Sequence, residues 1–285
     1  MQIDEADLQY LRGLLEHARQ PSPVGWQRWY LKGFDQVVGL LPPERALNLS
    51  LAMPERMPLV RTERGWVWHA ESFTADERSE VLQTIALDLC QRSQLDGWRS
   101  ESFACWGWLE NDWPYDTPEL FRMERAAFRY FGLRSHAAHL HGITPDGRMW
   151  CGRRSFKKAT DPGLLDNLAA GGIPADEEPA QCALREIFEE AGLERSLTDL
   201  CQSPLEVLTE RAETEGWHSE RLFVYTVKVM DSESPNNRDG EVIDFLCLSF
   251  PDVLTRLRAG EFTPDAACAI ALSALRGELN AQLPA

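Results

Sequence analysis

Residues 171–193 read GGIPADEEPAQCALREIFEEAGL, and this stretch leaves the chain little freedom in how it folds. Glu177 and Glu178 stand ahead of Pro179, where the free amides and dipole of a starting helix favour negative charge and a proline loses no hydrogen bond. Gly192 offers the left-handed residue that ends a helix. Between them Ala180, Ala183, Leu184, Ile187 and Ala191 recur at three- and four-residue steps, the stripe of an amphipathic helix. At about 3.6 residues per turn, Glu186, Glu189 and Glu190 then fall together on the neighbouring face.

Carboxylates crowded in this way repel one another, each like-charged pair four apart costing about 0.2–0.5 kcal/mol in a bare helix. A hard divalent cation removes that cost. Magnesium takes oxygen ligands while keeping waters and substrate phosphates in its shell, so an open carboxylate face suits catalysis better than storage. Arg185, one turn from Glu189, is placed to hold a carboxylate in its ligating orientation. A solvated acidic face is the plain alternative for a lone E-x-x-E-E. Here the paired glycines, Glu177, the Arg185-Glu186 pair and the closing Gly192 occur at fixed offsets together, which a chance acidic run does not produce.

The combination resembles the Nudix signature at every position. That resemblance implies an α/β chain, an α/β/α sandwich around a mixed sheet, in which water attacks a phosphorus of an organic diphosphate. Carried over by position, Glu186, Glu189 and Glu190 are the expected metal ligands, with Mg2+ or Mn2+ as the ion. Glu186 and Glu189, together with Arg185, are the expected catalytic residues of the helix. Gly171 is expected to mark a loop offering a backbone carbonyl. Members of the family differ in which acid serves as base.

Upstream, residues 148–158 hold Arg148, Arg153, Arg154, Lys157 and Lys158 and no acid, in a chain of net charge −16. Arginine forks and a lysine opposite a carboxylate face are what clamping a diphosphate requires, and solvated hairpin charges are the bland reading. The segment RRSFKKATDPGLLDNLAAGG, residues 153–172, also resembles the Nudix domain associated with thiamine pyrophosphokinase. Asp239-Gly240-Glu241-Val242 and the GEFTP run at residues 260–264 share the likeness. It implies hydrolysis of thiamine diphosphate, or its oxidised analogues, to the monophosphate. Substrate binding is then expected at Arg153, Arg154, Lys158, Asp166, Gly171 and Gly172, and Glu241 is an extra metal ligand or the base. A house-cleaning pyrophosphatase acting on ADP-ribose, NADH or oxidised dNTPs would share every signature residue. A non-catalytic Nudix-fold ligand-binding regulator stands as a third reading, although such proteins typically lose signature glutamates and none is lost here.

Eight of the ten tryptophans fall between Trp26 and Trp113. That asymmetry predicts two modules, a small α+β accessory domain over residues 1–125 and a Nudix hydrolase domain over residues 126–285. The accessory domain resembles that of the same subgroup, with WRSESF at residues 98–103 as the best local match. Leu8, Leu11, Leu14 and Leu15 predict an opening helix. Thr74 and Glu77 form a capping box for a helix bearing Val81, Ile85 and Leu89. Strands are expected at residues 66–69, 102–108, 137–143, 148–151, 205–209, 222–229 and 245–250, with a hairpin turn at Pro145-Asp146-Gly147 and helices after Pro251 and Pro264. Core packing is the default for the tryptophans. The functional alternative is that Trp98, Trp106 or Trp108 forms a cation-attracting wall over the diphosphate site.

His139 and His141 share a strand face and could ligate together, but no third ligand is in place, so they read as sheet residues. Seven scattered cysteines without a C-x-x-C pair point to free thiols. The acidity disfavours long polyanionic partners, so no nucleic acid is expected. No leader and no apolar run of spanning length is seen, which makes a small-molecule enzyme of the cytoplasm the default, without a membrane partner.

Overall fold

The computed structural model describes residues 4–200 and 203–279. After helix α1 (Glu5–Glu16), the chain lays down β1 (Gln27–Leu31), β2 (Gly39–Leu41), α2 (Pro43–Ala52), β3 (Leu59–Thr62) and β4 (Gly65–Trp68). These strands form one sheet in the order β2-β1-β4-β3, with β1 and β4 parallel. Helix α3 (Ala75–Gln91) begins at the expected capping box, in which the Glu77 amide donates to Thr74 Oγ1 at 3.2 Å and the Thr74 amide to Glu77 Oε2 at 2.9 Å. Strands β5 (Ser102–Cys105) and β6 (Phe121–Glu124) pair antiparallel, and α4 (Arg125–Phe131) ends on Gly132 at φ 63°. The tryptophans here serve the core. Trp29 and Trp68 are fully buried around Phe121, and their indole N–H groups reach the carbonyls of Phe131 and Met57 at 3.1 and 3.0 Å. The apolar side chains of α4 and Leu133 belong to this same core.

The second layered unit follows at once, with β7 (Arg134–Ile143), β8 (Met149–Arg154), β9 (Leu165–Asp166), β10 (Ala169–Gly172) and α5 (Pro179–Ala191). Then come β11 (Leu205–Glu213), β12 (Gly216–Lys228), β13 (Val242–Leu248), α6 (Phe250–Arg258) and α7 (Pro264–Arg276). The sheet runs β11-β12-β7-β8-β13, with β10 paired to the middle of β7 and β9 to β8. β7 and β12 are parallel and their other neighbours antiparallel, so the sheet is mixed. Alternation along β7 sorts the two faces. Ala138 and Leu140 pack with Cys182, Ala183 and Ile187 of α5, whereas Ala137 packs with Leu222, Val224 and Ala269 of α7 on the opposite side.

Two expectations change. The opening helix does not join the tryptophan-rich core: Leu11 packs with Val253, Leu254 and Ile270, and Asp7 pairs with Arg258 at 2.7 Å. Its leucine face finds the small side chains of α7, a partner that is distant in sequence. Trp106 and Trp108 likewise lie beyond β5, which ends at Cys105 and not at residue 108. Among the described residues no helix is long and apolar enough to cross a membrane, and the six described cysteines are free thiols, Cys201 lying outside the described residues.

Candidate active site

Helix α5 is built as its sequence demands, with Pro179 in the first turn, the Glu178 amide donating to Gln181 Oε1 at 3.0 Å, and Gly192 at φ 67° closing it. Its carboxylates are not an open face, however. Glu186 and Glu190 are only 8% and 5% exposed and share the buried side of the helix with Cys182, Ala183 and Ile187. They lean onto β10, where the Ala170 amide donates to Glu190 Oε2 at 2.9 Å and the Glu186 carboxylate lies across Gly171. Gly171 therefore sits in a strand, not a loop, and its carbonyl is 3.6 Å from the Cys182 thiol. What the site requires of it is a missing side chain. A Cβ there would meet Glu186 Cγ at 2.8 Å, with the carboxylate nearer still.

Arg185 binds three glutamates at once. It holds Glu177 through two bonds of 2.8 and 3.0 Å, Glu186 at 2.6 Å and Glu189 at 3.0 Å. Burial raises the Glu186 carboxyl above its usual range, against the pull of Arg185. Burial, reinforced by Glu186, pushes Glu190 up to about 8. Two buried carboxyls that resist ionisation are a place where a cation is favoured.

A second element closes on the same point. Carboxylate oxygens of Glu190, Asp239 and Glu241 all lie within 4.8 Å of one another. The loop carrying the last two is pinned to the end of β8, with the Ser155 amide on the Glu241 carbonyl at 2.7 Å and the Glu241 amide on Asp239 Oδ1 at 2.8 Å. Lys158 forms an ion pair with Glu241, and burial lowers its pKa. An all-oxygen set of acidic donors suits a hard divalent cation.

Beside these groups runs a cleft of about 360 Å³ between the two units. Ala170, Gly171 and Gly172 form its near wall, and Ser135, Ala137 and His139 of β7 its floor. Arg154 and Lys158 edge one side; Arg99, Phe103, Arg125, Phe128 and Arg129 of the first unit form the other. Farther along lie Asp161, Glu220 and Asp265, so the cleft is mixed in charge.

A model of the NUDIX domain matches residues 133–268. The second layered unit thus resembles a Nudix domain. Its α/β/α sandwich around a mixed sheet follows a smaller α+β unit with a sheet of its own. Among relatives, Nudix hydrolase 24, chloroplastic, of Arabidopsis thaliana is 34% identical over 154 residues, which is 53% of this chain and 42% of that protein. The protein YJR142W of Saccharomyces cerevisiae is 29% identical over 212 residues, 67% of this chain and 60% of that one, a stretch too long to lie wholly after residue 133. The chain thus spans less than two thirds of either relative. The NUDIX domain of Shewanella oneidensis NrtR, solved with ADP-ribose, gives a TM-score of 0.41 at 18% identity over 52% of this chain and 89% of that one.

Within this unit, the residues anticipated from sequence divide. Arg154, Lys158, Asp166, Gly171 and Gly172 all line the cleft, and Glu241 meets Glu190. Arg154 donates to Asp166 Oδ2 and the Thr160 carbonyl, each at 3.0 Å, while its buried Nε has no partner among the described residues. Arg153 does not reach the cleft; strand alternation turns it the other way, onto the Gly163 carbonyl at 2.9 Å. Arg148 is held by Asp146 in the hairpin, and Lys157 is exposed. His139 and His141 are buried sheet residues, His139 Nδ1 lying 2.8 Å from Asn167 Oδ1.

The tryptophan wall is absent. Among the described residues no tryptophan lines the cleft: Trp106 stacks on His136 with 5.1 Å between centroids, and Trp108 lies against Arg134. The aromatic surface is instead Phe103 edge-on to Phe128 at 5.5 Å. Sequence reasoning also missed Asp239, although it stands two before Glu241, and the arginines at residues 99, 125 and 129, which carry no local signal of a shared site.

Proposed function

We propose that this chain hydrolyses the phosphoanhydride bond of an organic diphosphate with a divalent metal, magnesium or manganese, and that thiamine diphosphate or an oxidised analogue is the substrate. The observation that carries the reading is the convergence of Glu190, Asp239 and Glu241 within 4.8 Å, at a cleft edged by Lys158 and Arg154. Glu186, Glu189 and Glu190 hold the cation, with Arg185 fixing the first two. When bound, the cation supplies charge stabilisation for the phosphates and a more acidic water. Glu241 accepts the proton of the attacking water once Lys158 turns from it to the substrate. Arg154, at the cleft edge, offers its guanidinium to a phosphate oxygen, and Asp166 holds that group in place. Water adds to phosphorus, the anhydride P–O bond breaks, and thiamine monophosphate and inorganic phosphate separate.

The choice of thiamine diphosphate rests on the run at residues 153–172 and on the cleft itself, whose Asp161 and Glu220 suit a cationic ring beyond the phosphates. In this reading the first unit through α4 is an accessory module and the Nudix unit is catalytic. The test is a panel of thiamine diphosphate, oxothiamine diphosphate, ADP-ribose and 8-oxo-dGTP, with and without magnesium, scored by released monophosphate. Magnesium-dependent cleavage strongest on the thiamine compounds is expected. Preference for ADP-ribose would replace the substrate assignment, and no cleavage of any member would overturn the reading.

A further inference from the structure

We infer that the accessory module supplies a phosphate-binding residue of this site, Arg125, held in position by Glu101; the inference rests on the diphosphate reading above. Four arginines besides Arg99 line the cleft, and their hydrogen bonds separate them. Arg129 is bound to Glu213 at 2.7 Å and to His218 Nδ1 at 3.0 Å. Arg211 is bound to Asp265 through two bonds and to Glu213. Arg154 is fixed by Asp166 and Thr160. Arg125 alone of the four makes a single bond, from Nη1 to Glu101 Oε2 at 2.8 Å, leaving Nε and Nη2 without partners among the described residues. A planar fork with one edge anchored and the other open is the arrangement that receives a phosphate oxygen.

Its place is equally specific. The guanidinium lies over the Phe103 ring at 5.3 Å and next to Gly172, where a Cβ would stand 3.6 Å from Arg125 Cζ. Gly171, across which the Glu186 carboxylate lies, is the adjacent residue of β10, and Lys158 lines the same cleft as Arg125. The module bearing it is seated firmly. The Ala175 amide donates to the Ser102 carbonyl at 2.8 Å, and Arg122 pairs with Asp176 at 2.5 Å, both in the segment that leads into α5. Gly172 belongs to the same contact, since a Cβ there would meet Phe103 Cζ at 2.6 Å. The stretch that matches the NUDIX domain begins at residue 133, after Arg125, so that stretch alone lacks this cation.

The experiment compares wild type, R125Q, R125K and E101Q in the full chain. Binding of inorganic pyrophosphate is measured by calorimetry in calcium, alongside Mn2+ affinity and steady-state hydrolysis of thiamine diphosphate. R125Q should weaken pyrophosphate binding and raise KM at least tenfold, R125K should recover part of the loss, and E101Q should fall between, with Mn2+ affinity within twofold throughout. Pyrophosphate affinity within twofold of wild type in R125Q, or a parallel fall in Mn2+ affinity, would overturn the assignment. If R125Q does not fold, E101Q decides by the same criteria. Should the wild type hydrolyse nothing, the diphosphatase reading fails while the pyrophosphate binding comparison still judges Arg125.

Discussion

Adjacent glycines on β10 should fail in different ways when given a methyl group. Gly171 faces α5: its added Cβ would press on Glu186 from Cγ outward, and Glu186 has no free end to yield because Arg185 Nη1 grips it at 2.6 Å. Either the carboxylate leaves that bond or the strand and helix part. Overpacking of this kind costs about 1–3 kcal/mol of stability. Losing a charge-assisted bond to a buried carboxylate costs about 1.5–3 kcal/mol, which at about 1.4 kcal/mol per tenfold is roughly ten- to hundredfold in metal affinity. Gly172 faces the other way, so Gly172→Ala should disturb the Phe103 contact instead. The assay is calorimetric Mn2+ titration of both folded variants, with hydrolysis measured in parallel. Gly171→Ala should lose metal affinity and rate together, and Gly172→Ala should keep Mn2+ affinity within about twofold while KM rises. Wild-type Mn2+ affinity in folded Gly171→Ala would refute the claim that Glu186 occupies the space its glycine leaves.

Three further outcomes follow from other groups. Glu190→Gln should lower kcat by two orders of magnitude or more while thermal unfolding shows an intact fold; full activity at ordinary magnesium would remove Glu190 from the site. His136, whose pKa burial and the neighbouring Arg221 and Arg134 pull down to about 3, stays neutral in the fold but binds a proton when unfolded below about 6.5. Its contribution is therefore present above pH 6.5 and lost as pH falls, by about 2 kcal/mol between pH 6.5 and 5. Denaturant titrations should show wild type weakening more than His136→Phe over that interval, and equal slopes would contradict the shift. Trp29→Phe removes a fully buried indole and its bond to the Phe131 carbonyl and should cost about 2–4 kcal/mol, with little change in KM if the first core acts only as a support.

Local chemistry was legible in the sequence where the determinants are neighbours along the chain. The cap at Thr74, the ends of α5 at Pro179 and Gly192, and the hairpin turn at Gly147 each depend on a few consecutive residues. The side of α5 that is buried was not legible, because Glu186 and Glu190 are drawn inward by a strand whose glycine and amide receive them, and helical spacing carries no record of that partner. The same holds for Arg153 and Arg154, adjacent in sequence and opposite in the sheet. Leu11 and Arg125 show the limit most plainly. Each works against residues far along the chain, Leu11 against α6 and α7 and Arg125 beside Gly172. Amphipathic periodicity told that the first helix had a buried face but not which core would take it.

A working metal held by the glutamates of α5, faced by the Asp239-Glu241 loop, is what hydrolysis at this site requires. The direct measurement titrates Mn2+ into metal-free protein with thiamine diphosphate present, recording bound ion by electron paramagnetic resonance and released thiamine monophosphate in the same samples. Hydrolysis rising in step with bound Mn2+, and both lost in Glu190→Gln, is the result predicted. Hydrolysis that persists in excess chelator, or Mn2+ bound as tightly by Glu190→Gln as by wild type, would contradict it.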